Sequence, residues 1–298
     1  MDFNLVNLSI TIRSADARQL IDRLPLLGNE FAAACRQDSC RWPERECDPC
    51  PMRESCDWQL VFGQRLTSDP SALKRFQKPP LPFMFRFPFR QEPAENFSEI
   101  KCGLLVIGRA IACLELLLAG FRKILEPLGA TVVQVGTRDY QGTIHPLVDI
   151  LGVNYPENLV VMSINDLLES CVLTKSCLQI RLLSPLRMFE EGHLCDSFDF
   201  SRFAKSLLRR VSSLAYYYGG YESSWDYKEL SRQADAVICM DNHFVIRKEQ
   251  NRKMAGLTGC GTFRGDFNVL LPFLIAGLYV HVGKGATFGM GVYEFSEC

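Results

Sequence analysis

An α+β chain of two tandem ferredoxin-like domains is the fold this sequence predicts, and three observations predict it. Stretches of period-2 apolar alternation are interleaved with stretches of helical period, the pattern of mixed strands and helices. A β-α-β-β rhythm of this kind occurs twice, over segments of similar length. The chain has 298 residues of which 47% are apolar, enough for two cores of ordinary size. No close sequence repeat links the halves, so the duplication rests on pattern alone.

The elements follow in order. Leu5 to Arg13 alternates as a half-buried strand, with a short helix from about Ala15. A cysteine-rich stretch comes next, placed as an insertion over about 35–60. Gln77-Lys78-Pro79-Pro80-Leu81-Pro82 is a connector that cannot be helical. Phe83 to Phe87 and Gly103 to Ile107 read as strands, Ala110 to Leu125 as an apolar helix ended by Pro127 and Gly129, and Thr131 to Val135 as a strand. The domain boundary is placed near residue 170, giving domains 1–170 and 171–298. In the second half Cys177 to Leu183 is a strand and Phe200 to Tyr218 a long helix. Ala236 to Cys239 and Phe244 to Arg247 are strands before a glycine-rich end.

Formal net charge is −1, so a nucleic-acid surface would have to come from local clustering of Lys and Arg. The N-terminus lacks a basic region followed by a long apolar run, and Leu104 to Leu118 carries Arg109 and Glu115. A cytoplasmic protein with no membrane partner is expected. Thirteen cysteines without an export signal fit a reducing compartment. Those scattered in apolar surroundings are read as buried hydrophobes.

Cys40, Cys47, Cys50 and Cys56 are separated by six, two and five residues, with Cys35 as an extra. A Cys-x-x-Cys core flanked by two thiols is the pattern that folds a loop around one tetrahedral ion. Zinc is one reading, an iron–sulfur cluster another, and free thiols a third. A closed four-thiolate site leaves no open coordination position, so the role would be structural.

Phe203, Leu207, Val211, Leu214 and Tyr218 share one face of the long helix, while Arg202, Lys205 and Arg209 fall on roughly the opposite side. That basic side is either a solvated surface or a phosphate-contacting stripe. Arg247, Lys248, Arg252 and Lys253 form a second basic patch with the same two readings. Tyr216, Tyr217, Tyr218, Tyr221 and Trp225 surround Gly219-Gly220, where some could stack unpaired bases and others belong to the core.

The tail is dense in glycine, including Gly283, Gly285, Gly289 and Gly291, with Lys284 between the first two. Backbone free of side chains can approach a phosphate; a hairpin with turn glycines is the plainer reading. It is not a P-loop, because Gly277 to Gly283 is one residue too long and Gly285 stands where Ser or Thr would hold magnesium. His281 beside this turn, and His193 in Glu190-Glu191-Gly192-His193, are the imidazole candidates for acid–base work. A hydrogen-bonded strand histidine is the alternative for His281. His243 reads as a turn residue and His145 as unremarkable.

Several blocks carry a family resemblance. Arg181 to Arg187, Phe198-Asp199-Phe200, Leu208 to Leu214, Met254 to Gly259 and the ending Tyr279 to Tyr293 resemble successive blocks of the CRISPR precursor-RNA processing endoribonucleases of the RAMP superfamily. Leu24 to Gly28, the cysteine cluster, Val61-Phe62 and Phe76 to Pro80 extend the resemblance over nearly the whole chain. It implies two RRM-like RAMP domains with a repeat-RNA-binding surface between or across them, the glycine-rich loop of the second domain contacting the RNA. It also implies metal-independent cleavage of precursor crRNA by 2′-hydroxyl attack, with His281, Lys284 and His193 as the catalytic candidates here. The implied partners are repeat RNA and subunits of a CRISPR effector complex. In this family a histidine near the first N-terminal helix often serves in catalysis, and here no histidine or tyrosine precedes Tyr140. That departure keeps open a non-catalytic RAMP subunit that only holds repeat RNA. A metal-cluster protein with redox or regulatory duty is the third reading.

Overall fold

The structure, a computed structural model, describes residues 3–70, 72, 78–89, 98–147, 159–169, 176–220, 225–249 and 251–298. Strand β1 (Asn4–Ser14) places Val6, Leu8, Ile10 and Ile12 on one face, all buried. Helices α1 (Ala17–Arg23) and α2 (Gly28–Ser39) follow, then α3 (Asp57–Phe62) within the cysteine-rich stretch. Strands β2 (Phe83–Arg86) and β3 (Glu99–Ile107), helix α4 (Leu114–Leu125) and strand β4 (Ala130–Arg138) complete the unit. Sheet order is β2-β3-β1-β4, with β5 (Ile144–Pro146) added beyond β4. Leu8 pairs across with Leu104, so the apolar faces of β1 and β3 coincide and receive Phe31 of α2 and Leu117 and Phe121 of α4.

The second unit repeats this plan. After β6 (Met162–Ser163) and α5 (Ile164–Glu169) come β7 (Cys177–Leu186) and a short hairpin, β8 (Phe189–Glu190) and β9 (His193–Leu194). Helices α6 (Phe200–Leu214) and α7 (Tyr227–Asp235) lead to β10 (Ile238–Asn242), β11 (Val245–Arg247) and β12 (Gly256–Arg264). Helix α8 (Leu271–Val280) and β13 (Tyr293–Glu297) close it. Sheet order is β10-β12-β7-β13, the same arrangement of second, third, first and fourth strands as in the first unit. Two tandem ferredoxin-like units are therefore present, as the alternation predicts.

Differences from the sequence reading have local causes. The segment read as one helix over Ala110 to Leu125 begins as a 3-10 turn, Gly108–Cys113, because Gly108 sits at φ +56°, outside helical space. The long helix ends at Leu214 and continues as a wider turn, Ala215–Gly219. The glycine-rich end is not only a hairpin: it contains α8, whose side chains are apolar on nearly every face and so show no amphipathic period. Helices α2, α3 and α7 were likewise not anticipated. The boundary near residue 170, like Phe76, Gln77, Cys171 and Tyr221, lies outside the described residues. Just before it, Ile164 and Leu167 of α5 are buried in the second unit's core, and Phe3 and Leu5 join the same cluster.

The tail loop joins the two units. Phe288 enters the aromatic cluster of the first unit, with ring centroids 5.7 Å from Phe85, 6.0 Å from Phe83 and 6.2 Å from Phe31. Phe85 N donates to Thr287 O at 2.8 Å. A β-carbon on Gly28 would lie 2.9 Å from the Phe288 ring, which is why the start of α2 carries none. Tyr218 is buried and donates to Pro80 O at 2.9 Å, tying α6's extension to the proline-rich connector.

Candidate functional site

A cleft of about 1250 Å³ lies where these joints meet. Its floor is α6. Residues 202, 205, 206, 209, 210 and 213 recur at three and four and face the cleft, while Phe203, Leu207, Val211 and Leu214 on the other face are buried. Lys78, Pro79 and Pro80 of the connector form one wall; Arg187, Phe189 and Gly192 near the β8–β9 hairpin, with Gly283 and Lys284, form the other.

Among the described residues seven cationic side chains line the cleft, Lys78, Arg187, Arg202, Lys205, Arg209, Arg210 and Lys284, against one carboxylate, Asp199. Asp199 caps α6, accepting from Arg202 N at 2.6 Å. A chain of near-zero net charge has thus concentrated positive charge in one concave place, which makes it an anion site. Two cations are already held: Arg202 by Glu190 at 2.7 Å and Lys205 by Asp235 at 2.5 Å. Arg210 donates through Nε to Val280 O at 2.8 Å, but its buried Nη2 has no partner among the described residues. Burial brings Arg210 down to about 10, which leaves it charged at neutral pH. Lys284 Nζ and the Arg187 guanidinium both sit over the Phe189 ring, at 4.9 and 5.6 Å.

The cleft continues past Gln64 and Pro79 into a groove of about 620 Å³ lined by Tyr216, Tyr217, Arg65 and Arg109. Tyr216 and Tyr217 are half-buried there, their rings at 87° and 5.1 Å. Tyr218 belongs to the core, so the aromatic cluster divides between wall and interior as the sequence left open.

The structure sorts the remaining site residues. His281 is a correction: it is 2% exposed, and its Nδ1 lies 3.1 Å from Ala286 O. Burial, with repulsion from Arg210 and Arg86, pushes its pKa down to about 3 despite the Ala286 bond. An imidazole so placed reaches no phosphate. His193 is exposed at the hairpin, paired across the ladder with Glu190 and next to Gly192 of the cleft wall.

The glycine loop also divides. Gly283 lines the cleft at φ +83°, and Lys284 N donates to Arg187 O at 2.8 Å. Gly289 and Gly291 are corrections. Both are buried, and a β-carbon would meet Phe87 at 3.2 Å or the Val282 carbonyl at 1.8 Å. Their φ values of +82° and +65° serve packing. Gly285 turns at φ +85° against Met290 and does not line the cleft.

The second basic patch is elsewhere. Arg247 is paired with Glu249 at 2.6 Å and lines a separate cavity with Asp22 and Arg23. Lys248, Arg252 and Lys253 are exposed outside the main cleft; only the backbone of Arg252 approaches it, accepting from Arg187.

The thiols do not form the expected ligand set. Cys40 ends α2, Cys47 and Cys50 span a turn, and Cys56 precedes α3; all four are half-buried. Among the described residues no three His, Cys, Asp or Glu side chains are gathered so as to hold a metal ion. Neither zinc nor an iron–sulfur cluster fits these thiols as placed. Cys35, Cys102 and Cys113 are buried, which raises each thiol to about 12. Cys195 is buried too, but Cys239 and Cys298 are exposed, so the scattered cysteines are not uniformly core.

Sequence reasoning missed Arg187, Arg210 and Lys78. Arg210 had a signal, since it continues the three-and-four spacing of Arg202, Ser206 and Arg209. Arg187 and Lys78 come to the cleft by tertiary folding alone. Among the described residues no helix is long and apolar enough to cross a membrane.

Two family models and several solved structures resemble this chain. Residues 180–293 match the family model of the CRISPR-associated endoribonuclease Cas6, and residues 26–142 match a second model described as an N-terminal domain. No curated protein sequence matches. A Thermus thermophilus Cas6 structure superposes with TM-score 0.56 at 14% identity, over 99% of this chain and 99% of that one. A Cas6 product complex gives 0.53 at 13%, over 99% and 100%. A chain of a partial Cas6-RT-Cas1–Cas2 complex gives 0.56 at 12%, over 99% of this chain and 46% of that one. At such identities these likenesses speak for the fold.

Proposed function

We propose, from the match of residues 180–293 to the family model of the CRISPR-associated endoribonuclease Cas6, that this protein belongs to that family, binds CRISPR repeat RNA in the α6 cleft and cleaves precursor crRNA there. The observation that carries the reading is seven cations against one carboxylate in a single cleft of a chain whose net charge is −1. RNA backbone is the polyanion such a cleft suits, and the tyrosine groove beside it offers stacking to unpaired bases.

Cleavage needs no metal in this reading. The ribose 2′-oxygen attacks the adjacent phosphorus, the bond from phosphorus to O5′ breaks, and the products are a 2′,3′-cyclic phosphate and a 5′-hydroxyl. One group removes the 2′-hydroxyl proton and another delivers a proton to O5′. His193, next in sequence to Gly192 of the cleft wall, is the imidazole this reading assigns to one of these transfers. Lys284, with Arg187 beside it on the Phe189 ring, stabilises the charge growing on the phosphate.

Burial of His281 favours a second reading, a Cas6-like subunit that retains repeat RNA without cutting it. Incubation with repeat RNA in excess chelator separates the two. Fragments ending in a cyclic phosphate, lost in His193→Ala, support the nuclease; intact RNA in a stable complex supports the scaffold.

A further inference from the structure

Helix α6 presents Lys205 and Arg209 to two cavities at once. Beyond that ridge from the RNA cleft lies a pocket of about 550 Å³ between α6 and α7, walled by Trp225, Tyr227, Lys228 and Ser212. Trp225 is set by an edge-on contact with Phe273, centroids 5.5 Å apart. Asp226, the one carboxylate in the wall, is engaged through Oδ1 as the cap of α7, accepting from Lys228 N at 3.0 Å and Glu229 N at 3.2 Å. Ser212 is only 3% exposed, yet among the described residues its hydroxyl has no partner, and neither has the buried hydroxyl of Tyr227.

We propose that this pocket receives one unstacked nucleobase from RNA lying in the cleft, with the phosphate that crosses the ridge held by Arg209 beside the Lys205–Asp235 pair. The inference rests on the RNA-binding reading above and adds to it a site for a single nucleotide. Three features agree on that ligand. The volume suits one nucleoside and is too small for a stacked run of bases. An indole and a phenol offer flat apolar surface, while two unpartnered hydroxyls, each able to donate or accept, meet the polar edge of a base. Arg209, Lys205 and Lys228 place positive charge at the mouth, where the sugar–phosphate chain would pass.

The test is an abasic scan of repeat RNA, removing one base at a time and measuring affinity for the full chain and for Trp225→Ala. The expected result is one position whose base contributes about 10-fold to wild-type affinity, as base–aromatic stacking does, and contributes nothing further in the variant. Trp225→Phe, which keeps a ring against Phe273, should restore part of the loss. Where Trp225→Ala does not fold, Tyr227→Phe, which removes one hydroxyl, takes its place in the cycle. RNA that binds wild type while no position distinguishes it from the variant overturns the pocket and leaves the cleft standing. Repeat RNA that does not bind wild type overturns both.

Discussion

Lowering the pH should destabilise the fold through His281, and the size of the effect follows from its burial. The folded pKa of this imidazole is about 3 against an ordinary 6.5. As pH falls through 6.5 the unfolded chain takes up a proton that the folded chain refuses until pH nears 3. Its contribution is therefore complete above the unfolded pKa and is lost progressively below it. Between pH 7.5 and 5.0 the loss is about 2 kcal/mol, approaching about 1.4 kcal/mol per unit below pH 6.5. His281→Asn removes the titration while keeping a polar, non-glycine side chain at the same backbone position, φ +57° and ψ 179°. Urea unfolding of both proteins at pH 7.5 and 5.0 gives four stabilities. Wild type should lose about 2 kcal/mol more than the variant on acidification. Equal losses would refute the burial argument and return His281 to the list of catalytic candidates.

Four further outcomes are expected. His193→Ala should slow single-turnover RNA cleavage by about 100-fold with repeat-RNA affinity little changed, read by quench-flow and filter binding. Phe288→Ala withdraws a half-buried ring from three phenylalanines of the first unit. It should cost about 2–3 kcal/mol in urea unfolding, and a neutral result would show that the tail loop does not join the units. Gly291→Ala would drive a β-carbon to 1.8 Å from the Val282 carbonyl; a loss above about 3 kcal/mol is expected, and a normal melting curve would contradict the packing role. Because the four thiols are not gathered, chelation under reducing conditions should leave thermal unfolding unchanged. A lowered melting temperature with release of zinc or iron would show that the segment 40–56 closes around an ion after all.

Much of the fold was legible because its strands are long, alternating and β-branched. Leu5 to Arg13 and Cys177 to Leu183 were placed by period, and the structure extends them by one to three residues into neighbours whose pairing is set by the sheet. Helix α8 was not legible, since LPFLIAGLYV is apolar all round and carries no helical period to distinguish it from a buried strand. The site was half legible. Arg202, Lys205 and Arg209 followed from spacing, because a single helix brings them together. Lys78, Arg187 and Lys284 come from three distant segments, and nothing local marks their meeting. The histidine assignment failed for a related reason: Val280-His281-Val282 looks the same to a sequence whether its imidazole points out or in, and the close of α8 against Ala286 decides it. Glycines misled in the same way, since a positive φ is demanded equally by a ligand loop and by a tight packing turn.

The central claim, that the α6 cleft holds an RNA backbone, is tested most directly by the salt dependence of repeat-RNA affinity for wild type and for the double variant Arg209→Ala, Lys284→Ala. Each cation that contacts a single-stranded phosphate contributes about 0.7 to the slope of log affinity against log salt. The slope should therefore become shallower by about 1.4 in the double variant, with weaker binding at low salt. Identical slopes for the two proteins would mean that RNA, if bound, lies somewhere else.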